Sequence, residues 1–232
     1  MTHSPGTILV ELKEVSKIYP TDAGEIAILQ NITLGICAGE FVGILGPSGS
    51  GKSTLLNVMT GIDHPSRGEV VVDGVVIRDH SEDQLARWRG RRIGVVFQFF
   101  QLLPTLTLLE NVMLPMEFCK IGKSAERRRQ AHSLLAEVGI EHLANKLPGM
   151  VSGGEQQRAA IARALATDPP LIVADEPTGN LDTANAEVVI RLFERLVQRD
   201  KTVIMVTHNP DLCGRMSRLI HMRDGQIVEM NA

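Results

Sequence analysis

The chain has 232 residues, of which 44% are hydrophobic and 22% are charged, and its formal net charge is −3. This length and composition are typical of a globular protein that buries a sizeable core unaided. The slight negative charge excludes a general attraction to nucleic acid, and three widely spaced cysteines indicate reduced thiols rather than a disulfide framework or a zinc site.

The sequence predicts no membrane-embedded segment. The N-terminus lacks the basic and apolar stretches of a signal peptide, and no apolar run is long enough for a transmembrane helix. The basic run at residues 127–129 lies in a mixed stretch and is interpreted as a solvated helix face. We therefore expect the chain to reach a membrane only through a partner.

The first half of the chain begins with strands. TILVELKEVSKIY and IAILQNITLGI predict an antiparallel pair, and FVGIL at residues 41–45 predicts a buried central strand. A helix is expected over about residues 52–59. Residues 73–74, Asp-Gly between two β-branched runs, predict a hairpin, and RIGVVF at residues 92–97 predicts another buried strand.

The second half begins with helices. The pattern over about residues 107–147 predicts a separate helical lobe, whereas residues 171–175 and 202–208 return to apolar strands. Between those strands we expect a helix that buries Val188, Val189, Leu192, Phe193, Leu196 and Val197. The ending predicts a hairpin that turns at residues 224–225. Strands that alternate with helices predict an α/β fold with a mostly parallel sheet and helices on both faces.

A phosphate-binding loop is predicted at residues 46–53, GPSGSGKS, which follow a strand and open a helix. Its glycines let backbone N–H groups turn toward phosphate oxygens, and the helix N-terminus adds partial positive charge. Lys52 is expected to reach the terminal phosphates, and Ser53 to bind Mg²⁺ through its hydroxyl. The nucleotide-binding residues predicted at this loop and directly after it are Gly46, Pro47, Ser48, Gly49, Ser50, Gly51, Lys52, Ser53 and Thr54.

A P-loop needs an acidic metal partner on a neighbouring strand, and LIVADE supplies two carboxylates. Asp175 ends the strand and is predicted to hold the Mg²⁺ shell. Glu176 follows on the other side of the strand end and is predicted to polarise an attacking water as general base. Without the P-loop, an Asp-Glu pair after an apolar run would more simply mark a strand exit.

Six short motifs resemble, in order and spacing, those of ABC transporter ATPase subunits. They are GPSGSGKST (Walker A), VFQ (Q-loop), VSGGEQQR (signature), LIVADEP (Walker B), GNLD (D-loop) and VTH (H-loop). The resemblance covers about residues 10–229 and implies the ABC ATPase fold, a P-loop core with an antiparallel β subdomain and a helical lobe. It implies one domain over residues 1–232, with core and β subdomain at about 1–97 and 168–232 and the Q-loop and signature lobe at about 98–167.

The resemblance also implies roles outside the P-loop. Tyr19 falls where the family stacks an aromatic ring on adenine; the alternative is a tyrosine that packs on its own sheet. Gln98 would approach Mg²⁺ and the attacking water, or would cap a strand end. His208 would contact the γ-phosphate and position Glu176 and water, and the alternative is a structural histidine.

The signature and the D-loop are implied to act in trans. In ABC ATPases the signature loop closes over nucleotide bound by the opposing protomer of a head-to-tail dimer, so Ser152, Gly153 and Gly154 would contact ATP bound by a second copy. Asp182 would lie across the same seam, would cap the helix that follows it, or would do both. The family pattern is LSGGQ, and here its last position is Glu155, which we expect to point away from the nucleotide toward solvent or a basic group.

Finer detail is similar to the lipoprotein-releasing and macrolide-efflux (LolD/MacB) group, with FtsE-like ATPases nearby. The similar segments are VADEPTGNLD, QLLPTLTLLENVMLP and MSRLIHMRDGQIVE. The resemblance implies ATP and Mg²⁺ as cofactors, an ATP-dependent homodimer, and a separate permease that holds the chain at the cytoplasmic face of the membrane. It implies export or extraction of a lipophilic or lipoprotein-type substrate. The alternatives are regulation of cell-wall hydrolysis and, from another class, a soluble ATPase that acts on nucleic acid.

Overall fold

The computed structural model describes residues 6–22 and 24–231, where the chain forms two sheets and six α-helices. The strands are β1 (Ile8–Thr21), β2 (Gly24–Cys37), β3 (Phe41–Leu45), β4 (Arg67–Val72), β5 (Val75–Val76), β6 (Ile93–Val96), β7 (Leu171–Asp175), β8 (Thr202–Val206), β9 (Arg218–Arg223) and β10 (Gln226–Asn231). The helices are α1 (Lys52–Met59), α2 (Glu82–Arg92), α3 (Leu108–Phe118), α4 (Ser124–Glu137), α5 (Gly153–Leu165) and α6 (Thr183–Val197). The domain range expected from the sequence also includes residues 1–5, 23 and 232, which lie outside the described part.

The two sheets differ in strand direction. The first is antiparallel, in the order β2-β1-β4-β5. The second has the order β10-β9-β3-β8-β7-β6 and is parallel except at the β9–β10 hairpin. Strands β3 and β8 are buried along their whole length, which explains their continuous apolar sequence.

The hydrophobic core lies on both faces of the parallel sheet. Helix α1 packs on one face and also contacts β2 and β4 of the antiparallel sheet. On the other face, α3, α4 and α5 pack against one another, and α6 packs against β8. Successive side chains of β8 serve the two sides in turn: Val203 and Met205 join the cluster around α3 to α6, whereas Ile204 and Val206 join the cluster around α1.

The strands and helices expected from the sequence are confirmed, but two details differ. Helix α2 was not expected, because it buries little except Leu85; its signal is the Ser81–Gln84 capping box. On α6, Val188 is 43% exposed and Ile190 is buried instead. Since successive helical residues are about 100° apart, Val188 lies roughly 40° beyond Leu192, outside one edge of the buried stripe, and Ile190 forms the other edge.

None of the helices within residues 6–22 and 24–231 combines the length and the apolar character needed to cross a bilayer.

Candidate functional site

Four adjacent parallel strands end at one edge of the second sheet, and each leads into a predicted motif. The P-loop follows β3, the H-loop follows β8, the Walker B acidic pair ends β7, and the Q-loop follows β6. Parallel strands bring their carboxyl ends to the same edge, so residues far apart in sequence meet there. This topology explains how one crevice collects the P-loop, Asp175, Glu176, Gln98 and His208.

The P-loop has positions that only glycine fits. Gly51 has φ 95°, and a Cβ there would lie 2.8 Å from the carbonyl oxygen of Ile28. A Cβ on Gly46 would lie 2.3 Å from the carbonyl oxygen of Met222. Lys52 is 6% exposed, and its ammonium donates hydrogen bonds to Gly46 O (2.9 Å) and Pro47 O (2.7 Å). The loop therefore holds a positive charge directly beside its own backbone.

Ser53 and Asp175 are in contact across the edge of the sheet. The Ser53 hydroxyl is close enough to the Asp175 carboxylate to lower the pKa of that carboxyl group by hydrogen bonding. Burial raises the pKa of Asp175, and the charge of Glu176 acts in the same direction, while Ser53 and Lys52 oppose it. A hydroxyl and a carboxylate brought together at a phosphate loop are oxygen ligands of the kind that Mg²⁺ takes with substrate phosphates. These two residues fit the predicted metal.

Glu176 has an unusual backbone conformation. Its φ is 44°, in the left-handed region that non-glycine residues seldom occupy, and its N–H donates to Val206 O at 3.0 Å. The turn brings its Oε2 to 3.3 Å from His208 Nδ1. A Cβ on Gly179 would lie 3.4 Å from Gln98 Nε2 and 3.5 Å from Glu176 Oε2, so these two side chains face the same point. Strain of this kind is typical of functional positions.

The signature loop is a helix N-terminus closed by a capping box. Ser152 caps α5, and its Oγ accepts from the N–H of Glu155 at 3.4 Å. Glu155 Oε2 accepts in return from Ser152 N (2.7 Å) and Ser152 Oγ (2.8 Å). These hydrogen bonds, the hydroxyl first and the backbone next, lower the pKa of Glu155. The charges of Arg158 and His142 also lower this pKa, which agrees with the expectation that Glu155 faces solvent or a basic group; its direction relative to a nucleotide stays a prediction. The reciprocal cap, which the third helical position favours, was not expected.

The D-loop touches the signature helix within one chain. Asp182 caps α6 by accepting from the N–H of Asn185 at 2.8 Å, which confirms its capping role, and these bonds lower its pKa. Asn185 also accepts from Arg158 of α5 at 2.9 Å. A Cβ on Gly154 would lie 2.5 Å from the Asn185 side chain, so the glycine permits this close packing. The two motifs that are predicted to act in trans therefore share one surface, and the contact of either motif with a second copy stays a prediction.

Tyr19 lies near the end of β1 and is 37% exposed. Its hydroxyl donates to Asp63 Oδ2 at 2.5 Å, and Lys17 Nζ lies 4.7 Å from the centre of its ring. The hydrogen bond to Asp63 raises the pKa of Tyr19 to about 12, with burial and the carboxylate charge as smaller causes. The ring is not packed away in the sheet, so its surface remains accessible to a ligand.

Sequence reasoning missed several residues that support the site. Arg163 of α5 donates to Gln101 O (2.5 Å) and Phe100 O (2.8 Å), and both of these Q-loop residues have positive φ. Gln157 is fully buried and donates to Pro177 O at 2.8 Å, directly after Glu176. Their partners are backbone carbonyls in distant loops, so no local pattern marks them. The one available signal is a polar residue on the apolar face of a helix.

The fold, the P-loop and the acidic pair at the end of β7 define a P-loop ATPase. Residues 29–179 match the sequence pattern of the ABC transporter family. The chain belongs to this family, as an ATP-binding, ATP-hydrolysing subunit.

Solved and curated relatives cover nearly the whole chain. The dimeric structure of a post-hydrolysis state of the ATP-binding cassette MJ0796, bound to ADP and Pi, superposes with a TM-score of 0.91 at 44% identity and covers 96% of this chain and 97% of that one. The lipoprotein-releasing system ATP-binding protein LolD of Anaeromyxobacter dehalogenans is 44% identical over 98% of this chain and 96% of its own length. The macrolide export ATP-binding/permease protein MacB of Syntrophobacter fumaroxidans is 44% identical over 94% of this chain and 31% of its own length.

Proposed function

We propose that this chain binds ATP and Mg²⁺ at the edge formed by β3, β8, β7 and β6, and that it hydrolyses ATP to drive a membrane complex. The observation that carries the proposal is the meeting of the P-loop, Asp175, Glu176, Gln98 and His208 at that edge. The backbone N–H groups of the loop and Lys52 bind the phosphates, while Thr54 lies on the helix that follows. Tyr19 stacks its ring on the adenine.

The hydrolytic step uses the contact between Glu176 and His208. Glu176 takes a proton from the attacking water, and His208, 3.3 Å away, keeps that carboxylate oriented and reaches the γ-phosphate. Gln98, whose amide lies near the same point beside Gly179 as Glu176 Oε2, orients the same water. Ser53, Asp175 and Gln98 would hold Mg²⁺, which would supply positive charge against the phosphates.

Two copies complete the site in a head-to-tail dimer. Ser152, Gly153 and Gly154 offer a hydroxyl and free N–H groups at the start of α5, and such a helix terminus binds an anion. Asp182 lies beside them through Asn185, so both motifs reach the partner together. The dimeric state described for MJ0796, with ADP and Pi, supports this arrangement.

A separate permease docks in the groove between α2 and α3. The groove has a volume of about 1130 Å³, an apolar lining that includes Trp88, Pro115 and Phe118, and a rim with Arg91 and Lys120. Phe118 is 77% exposed, which is unusual for a large aromatic side chain. An apolar permease helix with acidic flanks fits this chemistry. Docking there would hold the chain at the cytoplasmic face of the membrane.

We propose that the lobe at about residues 98–167 transmits the ATP state to that permease. Its helices α3, α4 and α5 pack on one another and contain both the signature and one wall of the groove. The LolD and MacB relatives favour extraction or export of a lipophilic or lipoprotein-type substrate. The second candidate is an FtsE-like regulator of cell-wall hydrolysis, which would use the same ATP-driven clamp. An action on nucleic acid is less favoured, because the formal net charge of the chain is −3.

The test is to isolate the chain from membranes with its native partners and to identify the permease. We expect ATPase activity that depends on Glu176 and a permease that is lost when Phe118→Asp blocks the groove, while Phe99→Asp, another exposed phenylalanine, serves as the matched control. ATP turnover with no membrane protein attached, and stimulated by DNA or RNA, would contradict the transport assignment. A cell-wall hydrolase in the complex would favour the second candidate.

A further inference from the structure

A cluster of three side chains holds the exposed ring of Tyr19, and we call it the Tyr19 clamp: Lys17, Tyr19 and Asp63. Asp63 accepts from both neighbours, through Oδ2 from the tyrosine hydroxyl and through Oδ1 from Lys17 Nζ, each at 2.5 Å. Lys17 Nζ also donates to His64 O at 2.8 Å and lies over the ring face. The ring is thus held at its hydroxyl and on one face.

The clamp is more ordered than an ordinary surface ion pair. Lys17 is 9% exposed, and its ammonium has two oxygen partners in addition to the ring. Burial alone would raise the pKa of Asp63, but hydrogen bonds from Lys17, Tyr19 and the His64 backbone together lower it. A carboxylate with this many donors has one preferred position, whereas exposed pairs lose much of their energy to side-chain freedom.

The clamp also connects the ring to the phosphate loop. Asp63 follows α1, the helix that begins at Lys52 of the P-loop. The N–H groups of Ile62 and Asp63 both donate to Asn57 O, at 2.9 and 3.1 Å, which fixes the turn after the helix. A rigid helix therefore separates the group that binds phosphate from the group that holds the ring.

We propose that Lys17 and Asp63 are positioning residues that pre-orient Tyr19 as the platform for the nucleotide base, at a distance from the P-loop set by α1. This inference rests on the proposed adenine-stacking role of Tyr19. Ordering the Tyr19 ring before the nucleotide arrives removes an entropic cost from binding. Substitutions that release the ring should therefore weaken ATP binding and leave the rate of the hydrolytic step unchanged.

The first measurement uses the fact that Tyr19 is the only tyrosine of the chain. Tyrosinate absorbance at pH 11 reports this one residue, and circular dichroism at the same pH checks that the fold is retained. We expect Tyr19 to stay mainly protonated in the wild type and mainly ionised in Asp63→Asn. Glu82→Gln is the matched control, because Glu82 pairs with His64 next to the clamp without touching the ring. Equal ionisation in the wild type and Asp63→Asn would show that the clamp does not form.

The second measurement separates positioning from a general loss of the site. Tyr19→Phe removes the hydroxyl and keeps the ring. We expect Tyr19→Phe and Asp63→Asn each to raise the KM for ATP and for GTP about threefold to tenfold, with kcat unchanged. Their double variant should be no worse than the more affected single variant, because both changes break one contact. Inhibition by tripolyphosphate, which has no base, should stay at the wild-type level; weakened inhibition would indicate a merely structural role.

Tyr19→Ala distinguishes failure of the inference from failure of the proposed function. If Tyr19→Ala raises the KM about tenfold or more, as loss of stacking predicts, while Tyr19→Phe and Asp63→Asn leave it unchanged, the positioning role is overturned. If Tyr19→Ala also leaves the KM unchanged, the adenine platform itself is wrong. Should Asp63→Asn fail to fold, Tyr19→Phe still decides the point, because it removes one exposed hydroxyl.

Discussion

The Nδ1 atom of His208 lies 3.3 Å from Oε2 of Glu176, although 32 positions separate the two residues in the chain. The contact exists because β7 and β8 are adjacent parallel strands and because Glu176 turns back with φ 44°. Val206 O anchors that turn by accepting from the Glu176 N–H. Strand β8, which leads into His208, therefore also fixes the position of Glu176.

Glu176→Gln should reduce ATP turnover at least 100-fold and leave ATP binding intact, because the amide keeps the shape but cannot accept the proton of water. ATP should then accumulate in a stable dimer, which light scattering with and without ATP would detect. Glu229→Gln, on the exposed strand β10, is the matched control and should hydrolyse ATP normally. Wild-type turnover in Glu176→Gln would remove this residue from the mechanism.

Glu155→Gln should tighten ATP-driven self-association. In the capping box the Ser152 hydroxyl donates to a carboxylate, so the γ-phosphate of a partner would meet a second anion there. Removing one of two like charges about 4 Å apart in water is worth about 1 kcal/mol, or roughly fivefold in the dissociation constant of the dimer. The gain should shrink as salt rises. Glu110→Gln alters the same box at the start of α3 and should change nothing in this assay. Equal association of Glu155→Gln and wild type would mean that the carboxylate leaves the interface on closure.

Arg163→Ala should destabilise the protein by about 1–3 kcal/mol, because two Q-loop carbonyls lose a charged donor. Phe100 and Gln101 would no longer be held in their left-handed conformations, so permease-stimulated ATPase activity should fall more than basal activity. Denaturant unfolding and both activities measure these effects. Arg163→Lys keeps the charge but lacks the two planar N–H donors that reach both carbonyls, so its loss of stability and of stimulated activity should be intermediate. Arg129→Ala, on the exposed face of α4, should change neither stability nor activity. Unchanged stimulation would confine Arg163 to stability.

What the sequence predicts and what it misses have different physical origins. Strands such as β3 and loops such as the P-loop are encoded by neighbouring residues, through apolar runs and glycine spacing, so they are predictable. The Lys17–Asp63 contact spans 46 positions and Arg163 reaches backbone carbonyls, so both depend on tertiary packing. The reciprocal bond between Glu155 and Ser152 was missed for another reason: its signal is local, the spacing of a capping box, but the expectation for Glu155 considered only the nucleotide.

Acid should weaken the caps of α3 and α5 together. Hydrogen bonds within the boxes lower the folded pKa of Glu110 and Glu155 below the ordinary value of 4.5. A lowered folded pKa means that the stabilisation is complete above the unfolded pKa and is lost as pH falls through the folded pKa. We therefore expect the melting temperature to fall below about pH 4.5 less steeply in the double variant Thr107→Ala/Ser152→Ala than in wild type. Parallel pH profiles would show that the boxes contribute nothing to acid sensitivity.

Arg215→Ala should lower kcat roughly tenfold with little change in the KM for ATP. Arg215 ends the segment that follows His208 and binds Glu194 through Nε (2.5 Å) and Nη2 (2.7 Å) and Glu187 through Nη1 (2.9 Å). Both carboxylates are on α6, the helix that Asp182 caps, so this arginine joins the H-loop to the D-loop helix. Losing it frees the loop around His208 while the P-loop stays intact.

The control for Arg215→Ala is Arg191→Ala, which removes the other partner of Glu187 from the surface of α6 and leaves the H-loop attached. Arg215→Lys should recover only part of the rate, because an ammonium cannot bind both oxygens of Glu194 and also Glu187 in the planar geometry of a guanidinium. Steady-state kinetics of the three variants, beside their melting temperatures, separate the two possible roles. If Arg215→Ala lowers the melting temperature but keeps the wild-type kcat, Arg215 only stabilises the packing of the segment at 210–215 against α6.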